Sequence, residues 1–143
     1  MGKTVRQIAR IGDLNLASGA TLPGVEVAYE LYGHLSPSAD NVVMVCHALT
    51  GSAGAGGAGG WWEPLIGPGR AIDTGRYAVL CSNILGSCYG TTGPTSTNPT
   101  TGEKYGPAFP EITVGDMVEA QIALARELGI RRLVSVAGGS LGG

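Results

Sequence analysis

The sequence is poor in charge. Of its 143 residues 14% are Asp, Glu, Lys or Arg, and the formal net charge is −2. With a pI near 5.6 it lacks the basic footprint that nucleic acid or an anionic membrane surface requires. Long apolar runs are missing as well. The longest, such as Val42–Cys46, fall far short of the roughly 20 residues that span a bilayer. The opening MGKTVRQIAR has no signal-peptide core behind it. Met1-Gly2 resembles a myristoylation start, but Arg6 stands where that motif needs Ser or Thr. Cysteine is sparse and odd in number (Cys46, Cys81, Cys88), without metal-ligand spacing. Reduced thiols in a cytoplasmic protein without a metal site are therefore expected. No internal repeat and no linker divides the chain, so residues 1–143 read as a single domain.

Apolar residues make up 43% of the chain, enough for a globular core. Alternation over Leu14–Ser18 and Val25–Tyr32, with the turn-forming GATLPG between them, predicts an antiparallel hairpin over 14–32. Three short, continuously apolar runs follow: Val42–Cys46, Tyr77–Cys81 and Leu133–Ala137. Such runs mark strands of a parallel sheet, buried on both faces. A helix is predicted from about Val114 to Leu128, opened by Thr113 with Asp116 and ended by Gly129. Its apolar stripe (Val114, Met117, Val118, Ile122, Leu124, Leu128) is packing. Residues 50–60, nearly all Gly and Ala, and residues 83–110, rich in Gly, Pro, Thr and Asn, read as long loops. Hairpin first, then strands alternating with helical segments, gives an α/β fold.

Two motifs compete for the chemistry. Gly54-Ala55-Gly56-Gly57-Ala58-Gly59 satisfies G-x-G-x-x-G, with Asp73 downstream as a ribose-binding acid would be. A dinucleotide loop must follow its strand at once and open a helix. Here seven residues separate Cys46 from Gly54, and the proline-bearing WWEPLIGPG comes next, so the match is set aside. Gly138-Gly139-Ser140-Leu141-Gly142 fits G-x-S-x-G and directly follows an apolar strand, which is the context a nucleophile elbow needs. Ser140 is the candidate nucleophile. Cys46-His47-Ala48-Leu49-Thr50, after the first apolar strand, sits where such a fold places one oxyanion-hole amide; the other belongs to the residue after the nucleophile. Leu49 and Leu141, through their backbone N–H groups, are the candidates. His47 is read as ending a strand and bonding nearby backbone, and His34 as solvated in a polar loop.

Several stretches together resemble the homoserine O-acetyltransferase family: LASGATLPGVEVAYELYG, VCHALTG, the long segment from Gly60 to Pro110, and LGIRRLVSVAGGSLGG. The resemblance covers nearly all of the chain after Arg10. The Gly/Ala-rich stretch 52–59 departs from it, because relatives usually carry more polar residues there. The resemblance implies an α/β-hydrolase fold, of which this chain would be the N-terminal part. It also implies transfer of an acyl group from acetyl-CoA, or succinyl-CoA, to the hydroxyl of L-homoserine in methionine biosynthesis. Acyl-CoA is then a substrate, and no tightly bound cofactor is expected. Ser140 matches the family nucleophile, and Leu49 and Leu141 its oxyanion positions. A cytoplasmic homodimer is what the resemblance suggests for the complete protein.

In this fold the triad runs Ser, then Asp or Glu, then His, so both partners are expected after Gly143. Neither Asp73 nor Asp116, which precede the serine, can be promoted. The 143 residues alone are accordingly expected to be inactive. A serine O-acyltransferase or an esterase of the same fold, and a non-catalytic remnant that binds a ligand or partner, stay open as alternatives.

Overall fold

In the computed structural model, which describes residues 5–143, the elements run β1 (Gln7–Asn15), β2 (Thr21–Tyr32), β3 (Val42–Cys46), β4 (Ile66–Gly67), β5 (Ile72–Asp73), β6 (Ala78–Ser82), α1 (Val114–Glu127) and β7 (Leu133–Gly138). The Met1-Gly2 start lies outside the described residues. Five strands share one sheet in the order β1-β2-β6-β3-β7, and β4 pairs with β5 separately. The chain divides into two compact units, one of residues 5–7, 29–82 and 129–143, the other of residues 8–28 and 83–128.

In the first unit β3 lies at the centre. It runs parallel to β6 on one side (Val43↔Val79, Val45↔Cys81) and to β7 on the other (Val45↔Ala137, Cys46↔Gly138). The end of β2 closes β6 antiparallel, Tyr29↔Ser82 to Tyr32↔Val79. Every residue of β3 and β6 is buried, as the valine-rich sequence of β3 and the mostly apolar sequence of β6 favour. On one sheet face Tyr32, Val43, Val45, Val79 and Cys81 pack with Ala55 and Ile66, and Trp62, Ile72 and Tyr77 pad the cluster.

This packing explains one position of the Gly/Ala run. A Cβ on Gly56 would lie 2.9 Å from Ile66 Cγ2 and 3.3 Å from the Tyr32 ring, so that position must stay bare for the segment to approach the core. The run forms turns, pinned by Tyr32 Oη donating to the Ala53 carbonyl (3.0 Å) and Trp61 Nε1 to the Ser52 carbonyl (2.9 Å). No helix opens after Gly59, which removes the dinucleotide reading. The third apolar run, β7, differs from the first two. It pairs with β3 alone among the described strands, and Val134 and Val136 are exposed.

In the second unit the hairpin differs from the expected one. The strands turn at residues 16–20, where the Gly19 N–H donates to Leu16 O and the Leu16 N–H to Ala20 O, both 2.9 Å. Pro23 and Gly24, expected in the turn, lie inside β2. There Gly24 takes a φ of 54° and its N–H is taken by Asp13 Oδ1 (2.8 Å), so the strand passes through without reversing. β1 also begins earlier than the alternation at Leu14 suggests, at Gln7.

Helix α1 matches its expected span to within a residue. Thr113 accepts from the Asp116 N–H, Asp116 accepts from the Thr113 N–H, and Gly129 (φ 70°) follows the helix end. Residues 83–110 hold no long regular element, but a 3-10 turn at Gly106–Ala108 and an isolated antiparallel bridge between Thr97 and Lys104. Thr91 and Thr92 dock the segment on β2 with their hydroxyls, accepting from the Ala28 N–H (3.0 Å) and the Glu26 N–H (2.9 Å).

Candidate active site

Because β3 and β7 are parallel and in register at Cys46↔Gly138, the chain leaves both strands at the same end of the sheet. From β3 it enters His47-Ala48-Leu49-Thr50, and from β7 it enters a 3-10 turn at Ser140–Gly142. Ser140 has a φ of 58°. Ala39 is the other non-glycine residue with positive φ among the described residues. For an L-residue that conformation costs about 1–2 kcal/mol, and strain of this kind collects at functional sites. Ser140 is exposed at the strand end.

The flanking glycines have a steric reason. A Cβ on Gly138 would collide with the Gly142 carbonyl oxygen and lie 2.9 Å from that of Cys46. A Cβ on Gly142 would collide with the Cys46 carbonyl oxygen and sit 2.9 Å from Cys46 Cβ. The first and last residues of G-x-S-x-G are therefore bare because the turn folds back onto the end of β3. The motif alone does not reveal that partner.

On the β3 side the Gly51 N–H donates to the Ala48 carbonyl (2.8 Å), closing a tight turn around Leu49. Leu49 is 69% exposed, whereas His47 is 1% exposed with Nδ1 2.6 Å from the Ala48 carbonyl oxygen. Neither the Leu49 nor the Leu141 N–H has a backbone acceptor among the described residues. Such amides remain available to an incoming oxygen. Two of the three cysteines fare worse as nucleophiles: burial pushes the Cys81 thiol far above its ordinary value, and Cys46 is buried, whereas Cys88 is exposed.

A cavity of about 560 Å³ is lined by Leu31, Tyr32, His34, Ile66, Pro68 and Thr74 among others. It adjoins the end of β2, where Tyr32 pairs with Val79 near the start of β6. That is the opposite end of the strands from Cys46 and Gly138. Among the described residues no group of three or more His, Cys, Asp or Glu is placed to hold a metal ion, and no helix is long and apolar enough to cross a membrane.

A parallel strand feeding a strained Gly-x-Ser-x-Gly turn, beside the loop that leaves the adjacent strand, agrees with the family comparison. The alpha/beta hydrolase fold family matches residues 41–143. The chain belongs to that family.

Within the alpha/beta hydrolases, the chain is 54% identical over 137 residues to homoserine O-acetyltransferase from Moorella thermoacetica; the match covers 91% of this chain and 37% of that protein. It is 50% identical over 150 residues to the homoserine O-acetyltransferase of Symbiobacterium thermophilum, covering 97% and 39%. The chain thus spans less than two fifths of the length of these curated relatives. Among solved structures, homoserine O-acetyltransferase from Bacillus anthracis superimposes with a TM-score of 0.91 at 37% identity, over 99% of this chain and 41% of that one. Esterase E22 superimposes with a TM-score of 0.89 at 36% identity, over 98% and 42%. The resemblance drawn from the sequence and the α/β-hydrolase class both hold.

Proposed function

We propose that this chain carries the nucleophile and oxyanion half of a homoserine O-acetyltransferase, as part of one α/β-hydrolase domain. The observation that carries the reading is Ser140 at a φ of 58°, in a glycine-flanked turn packed on the end of β3. The identity to homoserine O-acetyltransferases narrows the chemistry. Ser140 Oγ attacks the thioester carbonyl of acetyl-CoA and yields its proton to a base. The tetrahedral oxyanion accepts from the Leu49 and Leu141 N–H groups, then collapses to acetyl-serine as CoA leaves as the thiol. The side-chain hydroxyl of L-homoserine attacks the acetyl-serine, passes through the same oxyanion site, and departs as the O-acetyl ester, regenerating Ser140. The base is a His oriented by an Asp or Glu, both following the serine in chain order. The complete enzyme is a cytoplasmic homodimer in this reading and needs no tightly bound cofactor or metal.

Esterase activity is the second reading, favoured by the superposition on esterase E22. The two differ in what attacks the acyl-serine: an amino-acid hydroxyl or water. The test expresses the protein from its complete reading frame and follows CoA thiol release from acetyl-CoA and succinyl-CoA, with and without L-homoserine or L-serine. Release from acetyl-CoA that depends on L-homoserine is expected. Homoserine-independent release, together with hydrolysis of p-nitrophenyl acetate, would replace the transferase reading with the esterase one.

A further inference from the structure

Leu49 poses a mechanical problem. An oxyanion donor must hold its N–H within a few tenths of an ångström of a fixed direction. Yet the Leu49 side chain is 69% exposed, so its own packing does little to hold its backbone. The anchor must act on the peptide group itself. The Leu49 N–H and the Ala48 carbonyl belong to one planar peptide unit, so fixing the oxygen fixes the direction of the N–H.

Two donors converge on that oxygen. The Gly51 N–H donates at 2.8 Å, and His47 Nδ1 lies at 2.6 Å. A carbonyl oxygen can only accept, so Nδ1 carries the proton in this contact. The imidazole is itself immobile, at 1% exposure. Gly51 must stay bare for the ring to keep its place: a Cβ there would lie 2.9 Å from His47 Cβ and 3.1 Å from Nδ1. Hydrogen bonds to a carbonyl also polarise the peptide and strengthen its N–H as a donor.

We propose that His47 is a positioning residue, which aims the Leu49 amide by donating from Nδ1 to the Ala48 carbonyl. The inference rests on the reading of Leu49 as an oxyanion donor. It assigns His47 neither proton transfer nor substrate contact, since the Nδ1 proton is committed to the backbone.

The test compares His47→Leu and His47→Asn in the protein expressed from its complete reading frame. The Asn amide places an N–H near the Nδ1 position but cannot act as a base. His47→Leu is expected to lower kcat roughly 10- to 100-fold, less than the roughly 10²–10³ lost when an oxyanion donor is removed outright, with KM for homoserine unchanged. His47→Asn is expected to recover kcat to within about fivefold of the parent, with an unaltered pH profile. A His47→Leu protein that folds and keeps the parent kcat overturns the proposal. So does a folded His47→Asn protein as slow as His47→Leu, since restoring an N–H near the Nδ1 position would then recover nothing.

Should the parent show no homoserine-dependent turnover, the proposed function fails while the positioning contact remains testable. The same holds should His47→Leu not fold. Imidazole ¹⁵N NMR of the parent then decides: a protonated Nδ1 supports the contact, and a bare Nδ1 overturns it.

Discussion

If the positive φ of Ser140 is stability given up for exposure of its hydroxyl, glycine should recover that stability and alanine should not. Ser140 sits at φ 58°, which costs an L-residue about 1–2 kcal/mol and glycine almost nothing. Against this, glycine gives the unfolded chain more freedom, worth about 0.4–1 kcal/mol. The net for Ser140→Gly is a stabilisation of up to about 1.6 kcal/mol, centred near about 0.8. In the protein expressed from its complete reading frame that raises Tm by no more than about 3 °C. Ser140→Ala keeps the strained backbone and removes only an exposed hydroxyl, so its expected change stays within about 0.5 kcal/mol. Thermal and urea unfolding of the three proteins measure the difference, and mass spectrometry after acetyl-CoA treatment should find no acyl adduct at position 140 in either variant. A Ser140→Gly protein less stable than the parent would refute the reasoning, as would a Ser140→Ala protein stabilised equally.

Gly142→Ala forces a Cβ against the Cys46 carbonyl, so it should cost about 1–3 kcal/mol in urea unfolding and slow any acyl transfer by displacing the Leu141 amide. Unchanged stability would mean the turn is not packed on β3. Tyr32→Phe removes a buried hydroxyl that bridges Glu30 Oε2 (2.7 Å) and the Ala53 carbonyl (3.0 Å), and should cost about 1–3 kcal/mol. Burial first, and the Glu30 hydrogen bond second, raise the phenol well above its ordinary 10.0 in the folded state. Its contribution is therefore complete below pH 10 and lost as pH rises beyond it, and unfolding of Tyr32→Phe should show a flatter alkaline limb. Asp116 behaves oppositely: the Thr113 N–H first, then the Ala17 N–H and the Thr113 hydroxyl, hold its carboxyl below the ordinary 3.8. Its contribution is present above that pH and lost as pH falls through the folded value, so Asp116→Ala should lower stability at pH 7 and flatten the acid limb as pH falls below the ordinary 3.8.

Much of this molecule was legible in one dimension because the signals are local. The apolar runs at 42–46 and 77–81 are best satisfied by burial on both faces, and they supply the buried strands β3 and β6, with Tyr77 just ahead of β6 and partly buried. Thr113, Asp116 and Gly129 carry their capping chemistry in their own side chains and backbone freedom, so the ends of α1 followed directly. Gly-x-Ser-x-Gly after an apolar strand announced a tight turn at Ser140. The hairpin turn was misplaced because Pro23-Gly24 has the composition of a turn. What lets the chain run straight through it is a bond from Asp13, eleven residues away, which no local pattern encodes.

The tertiary structure decided the rest, wherever the reason for a residue lies in a distant neighbour. Gly56 is small because Ile66 and Tyr32 meet it, and Gly138 and Gly142 are bare because Cys46 stands against them. His47, unremarkable in sequence, gains its role from the geometry of a turn that closes on the Ala48 carbonyl. Sequence alone determined the buried strands β3 and β6 and the helix α1, through propensity and burial pattern. Packing of those segments determined which backbone groups are held and which positions must stay bare, because steric exclusion and hydrogen-bond direction exist only between elements already placed side by side.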